Sequence, residues 1–567
     1  MAAKPITENT LFYGDNLPIL HEYVADESID LIYLDPPFNS KRTYNVLFKD
    51  ESGLESEAQI AAFDDTWHWN RAAEQTYHEL VTQAPEHVSR MIAALREFIG
   101  TNQMMAYLVM MTIRLVELHR VLKSTGSLYL HCDPTASHYL KIILDTIFGP
   151  ANFRNEIIWK RTFAHGSSKR YGPVHDVILF YSKTDDFVWT DPRKPHSEDY
   201  IERHFKLVDP ATGRRFQAIS LTGAGTRRGY SGKPWRGIDP TAVGRHWAIP
   251  ARLLEKLGIQ AETTQDKLDA LDAAGMIYWP QKEGGVPRLK LFADEVEITG
   301  VALPDAWDDI HPIGAQAKER LGYPTQKPLA LLERIIQASS NPDDWVLDPF
   351  CGCGTAVAVA QKLGRRWIGV DITHLAITLQ RYRLKEMFPG ASFKVIGEPQ
   401  SVAAAQHLAQ QNRFQFEWWA LSLVRARPTG GQRGSKRGKK GADRGIDGVI
   451  TFIDEAKRKP KRVLVQVKSG KVSSRDIRDL RGTVEREKAA IGVLITLDPP
   501  TSAMEKEAVS AGFYHSPWWQ RDFPKIQILR IDQLLNEAQV QMPPGWGTFK
   551  RARLVKKMDG VQAELEM

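Results

Sequence analysis

The sequence predicts an α/β protein: a doubly wound mixed sheet, interrupted by an insertion and followed by a smaller α/β domain. Three observations carry that expectation. Strand-like apolar runs alternate with helical periodicity up to about residue 183 and again from about residue 321 to 398. Residues 345–371 read as strand, glycine turn, helix, strand and acid, which is a nucleotide-binding unit. Residues 184–320 break the alternation with loops rich in Gly, Pro, Arg and Trp.

Taken in order, residues 11–15 form a strand ending in a turn, because Gly14-Asp15-Asn16 is turn-prone. Residues 29–34 are rich in strand formers and read as a buried strand. Pro36 and Pro37 lack the N–H that a ladder requires, so pairing stops at Asp35. In an open parallel sheet that puts Asp35 at the carboxyl edge, where ligands bind. The residue types suit one chemistry. An exocyclic amine on a nucleobase is a poor nucleophile, since its lone pair is delocalised into the ring. The Asp35 carboxylate and the Pro36 carbonyl can each accept one amine hydrogen and localise that pair. Phe38 can stack on a base swung out of its duplex. Residues 39–45 read as a polar loop that closes over the base.

Residues 71–122 have helical spacing, and their methionines read as core packing. Residues 126–133 are the next strand; His131 and Asp133 at its end are assigned structural rather than catalytic roles. A helix over 136–148 and strands over 155–160 and 176–181 complete the first half. In the nucleotide-binding unit, Val357 stands where a dinucleotide site has its third glycine. A ligand without a pyrophosphate needs less backbone approach, which favours S-adenosylmethionine over NAD. Asp371, ending the second strand, is placed for ribose hydroxyls.

Asp35-Pro36-Pro37-Phe38 followed in the chain by Asp348-Pro349-Phe350-Cys351-Gly352-Cys353-Gly354-Thr355 resembles the beta arrangement of DNA amino-methyltransferases. There a (D/N/S)PP(Y/F) motif precedes DPFxGxGT. Gly14-Asp15-Asn16-Leu17 and Tyr323-Pro324-Thr325-Gln326-Lys327-Pro328 match further blocks, and the resemblance covers about residues 8–395. It implies a Rossmann-like fold, an S-adenosylmethionine donor and methylation of adenine N6 or cytosine N4; the opening Asp points to adenine. It also implies that Asp35, Pro36, Pro37 and Phe38 are catalytic. Asp15, Asp348, Phe350, Gly352, Gly354, Thr355 and Asp371 would bind the cofactor, with Thr325 and Lys327 at its methionine end. The family places target recognition where residues 184–320 lie. Basic and aromatic residues interleave on loops there, which suits phosphate contact and base readout. Arg227, Arg228, Arg236 and Arg245 are the DNA-binding candidates.

The C-terminal third differs. Residues 429–445 are a basic Gly-rich loop, residues 414–421 a helix, and residues 463–468 a strand on which Gln466 and Lys468 share a face. An acid opposite such a pair can hold Mg²⁺ and activate water against a phosphate. Gly441 to Gly448 match GxDxGIDG, so the segment resembles the Mrr-like branch of the PD-(D/E)xK restriction nucleases. That resemblance implies Asp447 as the Mg²⁺ ligand, with Gln466, Lys468 and the helical acid Glu417 beside it. The expectation is adenine methylation fused to Mg²⁺-dependent cleavage, as in single-chain restriction-modification systems. The alternative is cytosine-N4 methylation with a cleavage-inactive DNA-docking domain.

A chain of 567 residues exceeds one core. The expected divisions are 1–183, 184–320, 321–398, 399–545 and a tail over 546–567. A net charge of +7 suits double-stranded DNA as partner. Three cysteines argue for a reducing cytoplasm and against a disulfide framework, and the expected location is a prokaryotic cytoplasm in association with the nucleoid. Cys351 and Cys353 have no His or Cys nearby to complete a zinc site. No apolar run spans a bilayer and no signal-peptide core opens the chain. A second copy of the chain is a further expected partner.

Overall fold

The computed structural model describes residues 6–37, 43–49, 55–64, 69–163, 171–281, 285–314, 317, 319–321, 323, 325–429, 445–454 and 460–544, with main chain only at 43–49, 55–64 and 297–299. Its principal sheet has nine strands. We number them in chain order: β1 Thr10–Tyr13, β2 Ile29–Leu34, β3 Leu122–Cys132, β4 Phe153–Lys160, β5 His175–Ser182, β6 Ala306–Trp307, β7 Trp345–Asp348, β8 Arg366–Asp371 and β9 Lys394–Ile396. Across the sheet they run β6-β4-β5-β3-β2-β7-β8-β1-β9. Strands β3, β2, β7, β8, β1 and β9 are parallel neighbours, and β5 is antiparallel to both β3 and β4.

Strand β2 is buried at every position, as a central strand covered on both faces must be. Its side chains divide between two cores. Ile32 and Leu34 join the helix Gln103–Val121; Leu31 and Tyr33 join the helices Leu329–Ala338 and Thr355–Lys362. The Gln103–Val121 helix starts at Asn102, whose side chain accepts from the Met105 N–H at 3.0 Å. Met105, Leu108, Met111, Leu115 and Leu118 on it are fully buried, so its methionines are core, as their spacing predicts. Truncating Leu108 to Ala would destabilise the fold by about 2–5 kcal/mol.

Thr43–Lys49 pairs antiparallel with Glu55–Asp64, so the end of the expected 39–45 loop is strand. Phe38 and residues 39–42 lie outside the described residues, as do 430–444 and 545–567.

Residues Asp191–Pro304 form a separate compact unit, narrower than the sequence break. The reason is local pairing. The N–H groups of Val188 and Thr190 bond to the carbonyls of Thr125 and Ala338, and Ile158 donates to Asp305 at 2.8 Å. The inserted unit has an antiparallel sheet of four strands, Leu207–Val208, Arg215–Ser220, Arg288–Phe292 and Ile277–Tyr278. Phe216, Trp235, Trp247, Leu268 and Leu271 make its own core. Some of its tryptophans are thus packing residues.

The C-terminal segment builds a five-stranded sheet in the order Arg427–Pro428, Gly448–Ile453, Pro460–Lys468, Ile491–Thr496 and Ile526–Arg530. Phe416, Trp419, Phe452, Val465 and Ile495 lie in its core. Among the described residues no helix is long and apolar enough to cross a membrane.

Candidate active site

Because β2, β7, β8 and β1 are adjacent and parallel, their carboxyl ends open on one edge. The turns after them line a single cavity of about 290 Å³. It receives Asp15 after β1, Asp35, Pro36 and Pro37 after β2, Pro349 to Gly352 after β7, and Asp371 to Thr373 after β8. A hydrogen bond of 2.8 Å from the Asn16 side chain to the Pro349 carbonyl joins two of these turns across 333 residues.

The glycine turn is needed as glycine. Gly352 and Gly354 have φ of +49° and +71°, where other residues are strained. A Cβ on Gly354 would also lie 2.6 Å from Cγ of Gln380. The turn then presents its amide: the Gly352 N–H donates to Oδ2 of Asp371 at 2.9 Å. The Thr373 N–H and hydroxyl both donate to Oδ1 at 2.8 Å. Burial nevertheless pushes the Asp371 carboxyl up to about 6, those three bonds opposing it. Asp348 is raised well above the usual carboxylate value, by burial first and then by the charges of Asp35 and Asp371. Thr355 donates to the Lys327 carbonyl at 3.3 Å and so joins the glycine turn to the block ahead of Leu329–Ala338.

Asp35 is not left to solvent. The Lys327 ammonium pairs with its Oδ2, both side chains being largely buried, and also donates to the Thr325 carbonyl at 3.3 Å. Sequence placed Lys327 beside the cofactor alone; its side chain lies against the carboxylate that opens the proline motif. Below this pair runs a buried chain. The Tyr33 hydroxyl meets Nδ1 of His131 at 3.0 Å, Nε2 of His131 meets Asp176 at 3.1 Å, and Arg161 meets Asp176 at 3.1 Å. Burial opposes the charge on Asp176, yet the His131 hydrogen bond, with Lys327 and Arg161 nearby, holds its carboxyl below the usual value. His131 therefore supports the edge from beneath. Asp15 caps the helix Asn16–Tyr23 and pairs with Arg114 at 2.7 Å. The sequence held a signal for Arg114, a lone cation in the apolar run 104–116.

The DNA methylase model, that of the N6/N4 methyltransferases, matches residues 29–380. The chain belongs to the DNA methylase family. It is 28% identical to the type II methyltransferase M.EcaI of Enterobacter cloacae, over 65% of this chain and 67% of that one. It is 56% identical to the DNA adenine methyltransferase YhdJ of Escherichia coli K12, over 66% of this chain and 82% of the relative. A DNA modification methylase from Thermus thermophilus, solved with S-adenosyl-L-methionine, aligns with a TM-score of 0.32 and 15% identity, over 69% and 99% of the two chains. Residues 432–536 match the model of the NACHT-associated inactive restriction endonuclease 1.

In the methylase's inserted unit the four arginines separate. Arg227 and Arg228 are exposed on the loop before Tyr230. Arg236 does not fit a DNA contact: its guanidinium is held by Asp269 at 3.0 Å and by Asp272, which neutralise it. Arg245 donates from Nε to the Thr222 hydroxyl at 2.8 Å and from Nη2 to the Thr222 carbonyl at 2.7 Å.

The methylase's nuclease-like motif is assembled but turned away from metal chemistry. One oxygen of Asp447 accepts the Val467 N–H at 2.7 Å. The Gln466 amide donates to the Gly445 carbonyl, and Lys468 lies 3.8 Å from Asp476. Glu417 sits half-buried on the helix Arg413–Leu423. Among the described residues no three His, Cys, Asp or Glu side chains are arranged to hold a metal ion. This donor set does not fit the expected Mg²⁺: one carboxylate oxygen is committed to the main chain, and an amide stands where a second acid would be.

Proposed function

We propose that the chain transfers a methyl group from S-adenosylmethionine to adenine N6 in duplex DNA, after the base is flipped out. The observation that carries this reading is the shared cavity, in which the Asp35-Pro36-Pro37 turn and the Gly352–Gly354 turn face one another. The cavity suits the donor. Met110, Leu332 and Ile372 supply apolar wall for a purine, and Asp371 brings a carboxylate to the same cavity. In this reading Asp371, on the cavity wall, accepts the ribose hydroxyls. When bound, the donor supplies an electrophilic methyl on its sulfonium. The chain's own work is alignment: the Asp35 carboxylate and the Pro36 carbonyl accept the two amine hydrogens and aim the nitrogen lone pair. Such positioning can supply about 7–11 kcal/mol of a barrier. Adenine rather than cytosine is favoured by the opening Asp and by the similarity to an adenine methyltransferase.

The C-terminal domain, in this reading, holds DNA without cutting it. Asp447, Gln466 and Lys468 keep the nuclease outline while their polar atoms serve internal bonds. Sequencing with modification detection, on DNA from cells expressing the chain, tests the whole. N6-methyladenine at a defined site is expected, and its loss with Asp35→Ala. Unmodified DNA, or N4-methylcytosine, would overturn the adenine reading. Mg²⁺-dependent nicking that disappears with Lys468→Ala would overturn the docking reading.

A further inference from the structure

Within the inserted unit an open cleft of about 740 Å³ lies against its four-stranded sheet. The floor is set by register. Ser220 and Tyr278 both pair with Arg288, so these three side chains stand in a row across neighbouring strands. Thr222 and Arg245 form the wall, with Leu207 and Pro287 alongside. Two arginines line the cleft, and no acid does among the described lining residues.

Arg245 differs from Arg214 and Arg236 in its partners. Arg214 is neutralised by Asp294 and Glu295, and Arg236 by Asp269 and Asp272. Arg245 is held instead by two neutral oxygens of Thr222, which fix the guanidinium plane, and among the described residues no acid pairs with it. A guanidinium has five N–H donors. Here the Nε and one Nη2 hydrogen are used, along one edge. Of the remaining three, one on Nη2 and one on Nη1 form the end-on fork. A fork fixed in orientation matches a planar pair of acceptors. In the major groove, guanine O6 and N7 are that pair.

We propose that Arg245 is a sequence-reading residue whose end-on fork donates to O6 and N7 of one guanine in the methylated site. Arg288 supplies charge to the adjacent backbone from the same cleft. This rests on the DNA-methylation reading above and adds to it a prediction about the target: the site contains a guanine that Thr222 and Arg245 select together. A phosphate can also take a guanidinium fork, but a phosphate contact carries no base preference.

The test compares modified sites in cells expressing wild type, Arg245→Ala or Arg245→Lys, with rates on duplexes altered at each position in turn. The proposal expects both variants to lose preference at one guanine, by roughly five- to hundredfold, with the other positions unaffected. Arg245→Lys keeps the charge, so its salt dependence should stay that of wild type. A uniform fall in affinity on every sequence, with the salt slope reduced by about one, would assign Arg245 to a phosphate and overturn the proposal. Unchanged site preference would overturn it as well. Should Arg245→Ala not fold, Arg245→Lys and Thr222→Val decide, the latter removing the Oγ1 anchor together with its 3.1 Å bond to Ser220 and giving a smaller loss at the same guanine. Wild-type protein that modifies no DNA would instead refute the methylation reading, which is a separate result.

Discussion

Two sheets of this chain carry an acid at a strand end beside a glycine, and they use it in opposite ways. At the methylase edge, Asp371 takes two bonds from its own turn and one from the glycine turn, and remains on the wall of a cavity it shares with Asp35 and Asp348. At the C-terminal edge, Asp447 gives an oxygen to the Val467 N–H and Gln466 turns its amide to Gly445. The lesson is that an acid at a strand end marks a reaction centre only where neighbouring strands bring further polar groups to face it. Four parallel strands do so in the first case. In the second, the polar groups bond to nearby main chain.

That contrast can be broken most directly at the acids. Asp35→Ala should lower methyl transfer by about 10²–10³-fold or more, with cofactor binding by calorimetry nearly unchanged. Asp447→Ala should leave methyl transfer as it is. Equal losses in the two variants would erase the distinction. Next in size, Gly354→Ala combines a left-handed φ with a contact at 2.6 Å. It should weaken cofactor binding and lower the melting temperature, at about 1–3 kcal/mol of strain.

A smaller effect belongs to pH. The free Asp371 carboxyl titrates near 6, and a ribose that donates to it favours the ionised form, so binding lowers that value. Affinity for S-adenosylmethionine should therefore be full above pH 6 and fall as the pH drops through it, by at most about tenfold per unit. Asp371→Asn should flatten the profile. The smallest effect is at Arg236. With its charge already matched by Asp269 and Asp272, Arg236→Ala should leave the salt dependence of DNA binding unaltered.

What could be read from sequence was local chemistry. The Pro36-Pro37 stop and the Gly352–Gly354 turn announce themselves within a few residues, because missing N–H groups and forced φ values are properties of single positions. Contacts between distant segments gave no such sign. Lys327 reaches Asp35 across 292 residues, and nothing in its own block says that its ammonium faces a carboxylate. Arg236 looked available because its partners are on the helix Thr264–Ala273, where acids read as a solvated face. His131 was legible as structural, although its place between Tyr33 and Asp176 was not. In the C-terminal domain spacing put Gln466 and Lys468 on one strand face, but not their partners Gly445 and Asp476, since rotamers answer to the surrounding packing rather than to spacing.

The insertion at Asp191–Pro304 leaves and re-enters the chain at two anchored points, Thr190 and Asp305. Its core is its own. On the reading proposed above, transfer chemistry and target address would be written in different folded pieces, so drift in one need not disturb the other. A lineage could exchange the address by recombination at those two seams and inherit a working catalyst.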